Sequence, residues 1–426
     1  MKKGDFLYQQ YINILKEELR PAMGCTEPIA MAYAGAKARQ ILGARPDKVR
    51  LFVSGNIIKN VKSVVVPNTG GLHGMAAAIC AGIVAGDPDR QLQVICDVPK
   101  EKHAEIKQYM QTLDLDIQPS YSDLVFDIDV FEYAGDDVVR LRIINHHTNI
   151  VLIEKNGEKL LELPISESSE DHLTDKSCLT IEKIVEFADA LDVEDIRDYV
   201  GEQIRCNMEI AEEGLSGNWG ANIGSVILKF HPDSVEKKAC AYAAAGSDAR
   251  MSGCEKPVMI VSGSGNQGIT ASVPVAVYAR EMGATEEQLL KAVTLSNLVT
   301  IHQKAGIGRL SAYCGAISAG CGAGAGIAYL NGGNAHAIAH TVVNAIAILS
   351  GTICDGAKPS CAAKIASAVE AGILGYHMYL EGQQFYSGDG IVTKGADNTV
   401  YNIGRLAREG MRETDRTILE IMLSCD

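Results

Sequence analysis

The order of apolar and polar positions divides the chain into two stretches of different character. The first forty residues carry helical spacing, interrupted at Arg20-Pro21 and again at Gly24. Two β-rich runs follow in VRLFVSGNIIKNVKSVVV (49–66), separated by a turn-like Ser54-Gly55-Asn56. Pro67-Asn68-Thr69-Gly70-Gly71 ends that pattern and leads into an alanine-rich helix over about 73–85. LQVICDV (92–98) reads as a strand, 100–113 as a helix, and 125–163 as a meander of short strands. Asn156-Gly157 between apolar runs is a hairpin signal.

Pro164 and the polar run SESSEDHLTDKS mark a boundary, after which nearly everything has helical period broken by glycine clusters at 214–224, 244–253, 262–268 and 304–326. The expected class is α+β. Residues 1–170 predict an α/β domain with a mostly antiparallel sheet, and 171–426 an all-helical domain rich in Ala and Gly. From Leu310 to Cys354 no residue is charged, a length that invites a membrane test. Asn331, Asn334, His336, His340, Asn344 and the Gly332-Gly333 break argue instead for two buried helices of a soluble core.

Composition sharpens this. Of 426 residues 47% are hydrophobic but only 5% aromatic, with 42 glycines, so the interior is built from small side chains. A net charge of −14 without any basic block excludes nucleic acid as a partner. The opening segment MKKGDFLYQQYINILKEELR has charged and polar residues where a signal peptide is apolar, and it reads as an amphipathic helix. The chain is therefore expected in the cytoplasm, where twelve cysteines are not disulfides and most are small core residues.

Cysteine placement carries the chemistry. Cys354 and Cys361 flank CDGAKPSC, where Gly356 and Pro359 hold open a loop and Lys358 adds positive charge; Cys314 and Cys321 lie upstream in YCGAISAGCGAGAG. A glycine-bearing loop between thiolates suits a metal cluster, although the spacing alone fits buried helix cysteines as well. No histidine stands at zinc-finger spacing from them. Cys25, in Met23-Gly24-Cys25-Thr26-Glu27-Pro28, is placed at a helix start, where the dipole is expected to lower its pKa and make it a base or nucleophile. Ser262-Gly263-Ser264-Gly265-Asn266-Gln267-Gly268 matches G-x-G-x-x-G but lacks the second strand of a dinucleotide fold. Its Ser, Asn and Gln side chains suit a carboxylate or ammonium group instead. His73 at a helix start is a further polar candidate, while His146 and His147 are expected in a strand, facing opposite sides.

Together, GCTEPIA (24–30), SGN (54–56), PNTGG (67–71), SGSGNQG (262–268), GRLSAYCG (308–315) and CDGAKPSC (354–361) resemble, in order and over essentially the whole chain, the L-cysteine desulfidase family, relatives of the α and β parts of iron–sulfur L-serine dehydratases. The resemblance implies a [4Fe–4S] cluster on Cys314, Cys354 and Cys361, with one iron open to substrate; Cys321 rivals Cys314 for the third place. It implies Cys25 as the base for the α-proton. Substrate contacts are then expected from Ser54, Asn56, Asn68, Thr69, His73, Ser262, Ser264, Asn266, Gln267 and Lys358. The implied reaction is β-elimination of L-cysteine to pyruvate, ammonia and hydrogen sulfide, with L-serine dehydration or a non-catalytic iron–sulfur protein as alternatives. The resemblance also points to a homodimer and leaves a role for Cys425 open.

Overall fold

In the computed structural model, which describes residues 1–122, 124–165, 173–308 and 311–424, the apolar side chains gather into two main cores. The strands are β1 (Arg20–Met23), β2 (Lys48–Val53), β3 (Asp114–Pro119), β4 (Asp127–Ala134), β5 (Asp137–Ile144), β6 (Ile150–Lys155), β7 (Glu158–Glu162) and β8 (Pro257–Ile260). β2 to β7 form one sheet in the order β3-β2-β4-β5-β6-β7, parallel at the β2–β3 pair and antiparallel elsewhere. The remainder is predominantly helical, giving the α+β class expected from the pattern.

Period-two alternation sets the sheet's inner face. Ile128 and Val130 of β4 and Val139, Leu141 and Ile143 of β5 are fully buried, against a core that includes the helices Thr26–Leu42 and Gly74–Ala85. On the outer face, Asp127 takes a bidentate pair from Arg142 (2.8 and 2.9 Å), and Asp129 takes one from Arg140 (3.0 and 2.7 Å). These cross-strand pairs lock the β4–β5 register. Asn156 (φ 52°) and Gly157 (φ 85°) make the hairpin turn between β6 and β7.

In the larger core, the helices Gly315–Leu330 and Cys361–Leu380 approach so closely that a side chain at Gly324 would meet the Gly372 carbonyl at 2.4 Å. This is what the Ala/Gly content is for. None of the described helices is long and apolar enough to cross a membrane, and the uncharged stretch contributes two helices, Gly315–Leu330 and Ala335–Leu349.

The two ends of the chain cross between the cores. The helix Phe6–Glu18 packs in the larger one, with Tyr8 and Tyr11 against Phe187 at 5.1 and 5.0 Å, and β1 pairs with β8. In the opposite direction, the helix Arg412–Ser424 returns to the sheet, where Leu419 packs on the smaller core. The first 23 residues, grouped with the sheet by sequence, thus pack with the helices. The boundary expected near 170 lies outside the described residues.

Three local expectations fail. The run after Ser54 is the helix Gly55–Val61, because Ile57, Ile58 and Val61 also satisfy helical spacing. Leu92–Val98 holds the end of the 3₁₀ helix Pro88–Gln93 and the turns after it rather than a strand, yet still buries Val94, Ile95 and Val98. His146 and His147 lie in the turn after β5.

Glu132 of β4 is fully buried, and neither of its carboxyl oxygens has a hydrogen-bond partner among the described residues. Burial pushes its pKa well above the ordinary carboxyl value, with Arg39 only partly opposing. An acid whose folded pKa is raised costs stability above its unfolded pKa of about 4.3, because folding must then take up a proton. Glu132→Gln is expected to raise the urea midpoint at pH 7. Its advantage should grow by about 1.4 kcal/mol per pH unit above that value, until the folded pKa is passed. Parallel stability–pH curves for the two proteins would contradict this.

Candidate active site

Two separate segments carry the first pair of thiols, and a short antiparallel bridge sets them side by side. The Cys314 N–H donates to the Thr352 carbonyl (3.2 Å), the Cys354 N–H donates to Ala312 (2.6 Å), and Tyr313 pairs with Ile353. Cys314 immediately precedes the helix Gly315–Leu330, whose Ala316 N–H reaches its sulfur, and Cys361 is the first residue of Cys361–Leu380, with its Sγ donating to Gly356 O (3.5 Å). Cys361, with Ala357, packs on a small cluster formed by Cys25, Val64 and Met251. Cys25 itself precedes the helix Thr26–Leu42.

All four cysteines, Cys25, Cys314, Cys354 and Cys361, line one cavity of about 110 Å³. Its wall is closed between the two cores by the loop after Cys354. Gly356 has φ +97°, and a side chain there would lie 2.0 Å from the Lys59 carbonyl oxygen. Only glycine allows this approach. Cys321 lies two turns further along the helix, is fully buried and does not line the cavity.

Water exclusion governs the thiols. Burial pushes Cys314 up to about 12, with Cys354 and Cys361 adding to the effect and the Ala316 N–H opposing it. Burial likewise raises Cys361, where Lys358 and Lys364 oppose it. The mutual influence of Cys314, Cys354 and Cys361 places them within electrostatic reach of one another. Cys321, also raised to about 12 by burial, feels no other thiol. No group of three His, Cys, Asp or Glu among the described residues converges on a point that would hold a single metal ion. A cluster distributes its thiolates over several irons, so thiols spaced around a cavity are the donor set it requires. The residues present fit such a group.

Cys25 departs from expectation. Burial pushes its pKa well above the ordinary thiol value, Glu27 raises it further, and Arg250 only partly offsets them. A helix dipole, worth at most about 2 kcal/mol, does not outweigh full burial beside a carboxylate. The resting group is a thiol, and it donates to Glu27 Oε2 at 3.2 Å. Glu27, itself buried, also accepts from Thr26 Oγ1 (3.1 Å) and Asn60 Nδ2 (3.3 Å).

The polar loops divide into two groups. Ser264, Asn266 and Gln267 line the thiol cavity. Asn56 and Ser262 line an adjoining cavity of about 400 Å³, which shares Glu27, Gly263 and Ser311 with the first. The others are scaffold and do not line either cavity. Ser54 Oγ donates to Val125 O (3.0 Å) and accepts from the Asp127 N–H. Asn68 Nδ2 clamps the Ile95 and Cys96 carbonyls, and Thr69 Oγ1 donates to Val66 O (2.7 Å). His73 precedes the helix Gly74–Ala85 and bridges to Val65. Lys358 pairs with Asp355. For Ser54, Asn68, Thr69 and Lys358 the local structure has already engaged the polar side chain, and His73 is exposed. Glu27, Lys59, Asn60, Arg250 and Lys304 are among the cavity residues that motif reading missed. Glu27, two positions from Cys25, was within reach of it. Cys425 lies outside the described residues.

Comparison with known proteins places these features in a family. A family model described as serine dehydratase alpha chain matches residues 89–420. A UPF0597 protein of Desulfitobacterium hafniense is 57% identical over 424 residues, covering 100% of this chain and 99% of its own length. UPF0597 proteins of Lachnoclostridium phytofermentans (47% over 418 residues; 98% and 100% covered) and Treponema denticola (44% over 422 residues; 98% of each) are similarly alike from end to end.

If the Gly356 approach closes the cavity, Gly356→Ala should cost about 3 kcal/mol from backbone strain and the clash with Lys59. Gly351→Ala, where a side chain would meet nothing within 4 Å, is the control and should stay within about 0.5 kcal/mol of the parent. Urea denaturation reads both. Equal midpoints for the two variants would show that the loop is not tightly docked.

Proposed function

The chain belongs to the serine dehydratase alpha chain family of lyase-type dehydratases, and we propose that it eliminates the β-substituent of L-cysteine at an iron–sulfur cluster held by Cys314, Cys354 and Cys361. The observation that carries the proposal is that these three thiols share one small cavity with the hydrogen-bonded pair Cys25–Glu27. A [4Fe–4S] cluster there would supply a Lewis-acidic iron that turns the substrate's thiol or hydroxyl into a good leaving group.

The protein's own groups handle the proton. Glu27 accepts the Cys25 proton along the hydrogen bond that already joins them, and the Cys25 thiolate then stands as base toward the substrate α-carbon. As the Cα–H bond breaks, its electron pair forms the Cα=Cβ double bond and the Cβ–S pair departs with sulfur. The resulting 2-aminoacrylate takes up water, giving pyruvate and ammonia, so the balance is L-cysteine plus water to pyruvate, ammonia and hydrogen sulfide. Gly356, pressed on the Lys59 carbonyl, forms part of the wall beside these groups. The serine dehydratase match favours a second reading, L-serine as substrate, in which the same groups expel hydroxide.

Anaerobically reconstituted protein should release equal amounts of pyruvate and sulfide from L-cysteine. Cys25→Ala and Glu27→Gln should each lower kcat by roughly 10²- to 10⁴-fold while leaving iron per chain unchanged. Pyruvate from L-serine but not from L-cysteine would select the second reading. Iron-loaded protein with no product from either amino acid would end both.

A further inference from the structure

Arg250, near the end of the helix Val235–Met251, is only 3% exposed and lines the thiol cavity. It has no ion-pair partner among the described residues, and its hydrogen bond is to Asn266 Oδ1 (3.1 Å), a neutral acceptor. Its Nε is buried with nothing to donate to. A buried guanidinium without a counter-charge is costly, and it is retained where an anion completes it. Across the same cavity Gln267, 5% exposed, has its Oε1 buried without a donor. Among the described residues, an arginine without an ion pair and a carboxamide oxygen without a donor thus belong to side chains that line the same small space.

Two glycines hold these side chains in place. A side chain at Gly265 would meet Arg250 Nε at 2.4 Å and Cζ at 2.7 Å, and one at Gly315 would meet Gln267 Nε2 at 2.7 Å. Gly265 opens the helix Gly265–Met282 and Gly315 opens Gly315–Leu330, at positions where alanine suits the backbone. The missing side chains make room for the guanidinium and the carboxamide.

We propose that Arg250 binds the α-carboxylate of the substrate while Gln267 Oε1 accepts from its α-ammonium, so that the site selects free α-amino acids. This rests on the lyase reading above and names the subsite that would make it specific. Arg250 presents fixed, planar donors to a carboxylate, and Gln267 offers a neutral acceptor that an ammonium satisfies. The α-carbon is thereby held in the cavity that Cys25 lines.

The test uses reconstituted full-length protein and two probes, L-cysteine and its carboxamide, with L-alanine as a ligand that cannot eliminate. Arg250→Gln should raise KM for L-cysteine roughly 10- to 100-fold, more than it lowers kcat, and should remove the preference for the acid over the amide. Gly265→Ala, whose added side chain would press on Arg250 and on Val258 Cγ2 (2.7 Å), should give the same KM change with unaltered iron content and a lowered thermal midpoint. Calorimetric titration should show L-alanine binding to the parent and not to Arg250→Gln, which tests the subsite even if no turnover is found. An unchanged KM, equal losses for acid and amide, loss of iron in Arg250→Gln, or undiminished L-alanine binding would each overturn the assignment. Absence of turnover in a parent that still binds L-alanine through Arg250 would instead count against the lyase reading alone.

Discussion

The approach of Gly356 to the Lys59 carbonyl is the constraint on which the site depends. Lys59 belongs to the sheet-bearing part of the chain, and Gly356 to the loop between two cavity thiols of the helical part. Without a Cβ the loop backbone presses directly on the Gly55–Val61 helix, and Cys354 and Cys361 face Cys25. The crossing of the chain ends reinforces this closure. β1 is paired to β8 immediately before Cys25, and Lys59 is held by Asp415 of the last helix. Neither core presents the full set of groups without the other.

Closure has an electrostatic consequence. Excluding water raises the Cys25, Cys314 and Cys361 thiols, so burial favours neutral sulfur. Metal binding releases thiol protons and replaces the lost hydration with bonds to iron, so the environment that disfavours free thiolates can still hold a cluster. Cys25 has a different outlet in the carboxylate of Glu27. Cysteines lining one cavity thus differ in their electrostatic neighbours, while Cys321, deep in its helix, is raised by burial with no charged neighbour acting on it among the described residues.

Sequence reading recovered the segments but not their contacts. The α+β class, the antiparallel meander, the Asn156-Gly157 hairpin and the paired uncharged helices were legible because period and turn chemistry are local. The cysteine-bearing loops were legible because glycine and proline interrupt helices visibly. Arg250, within AGSDARMSG, carries no motif, and only its burial without an ion pair among the described residues exposes it. Conversely, Asn68 and Thr69 looked like ligand groups because they occupy a glycine-rich loop, and the structure spends them on carbonyls of their own surroundings. Apolar runs such as Leu92–Val98 misled for a related reason: burial selects the residue types, whereas backbone pairing depends on a neighbouring strand that the segment does not have.

The central claim is that one cavity between the two cores is built to hold a cluster on three particular thiols. Iron and acid-labile sulfide counted per chain after anaerobic reconstitution of single cysteine-to-alanine variants test it most directly. The account predicts that Cys314→Ala, Cys354→Ala and Cys361→Ala each lose the cluster or bind it substoichiometrically, while Cys321→Ala keeps the full complement. Retention of full iron by any of the first three, or its loss in Cys321→Ala with the fold intact, would contradict it.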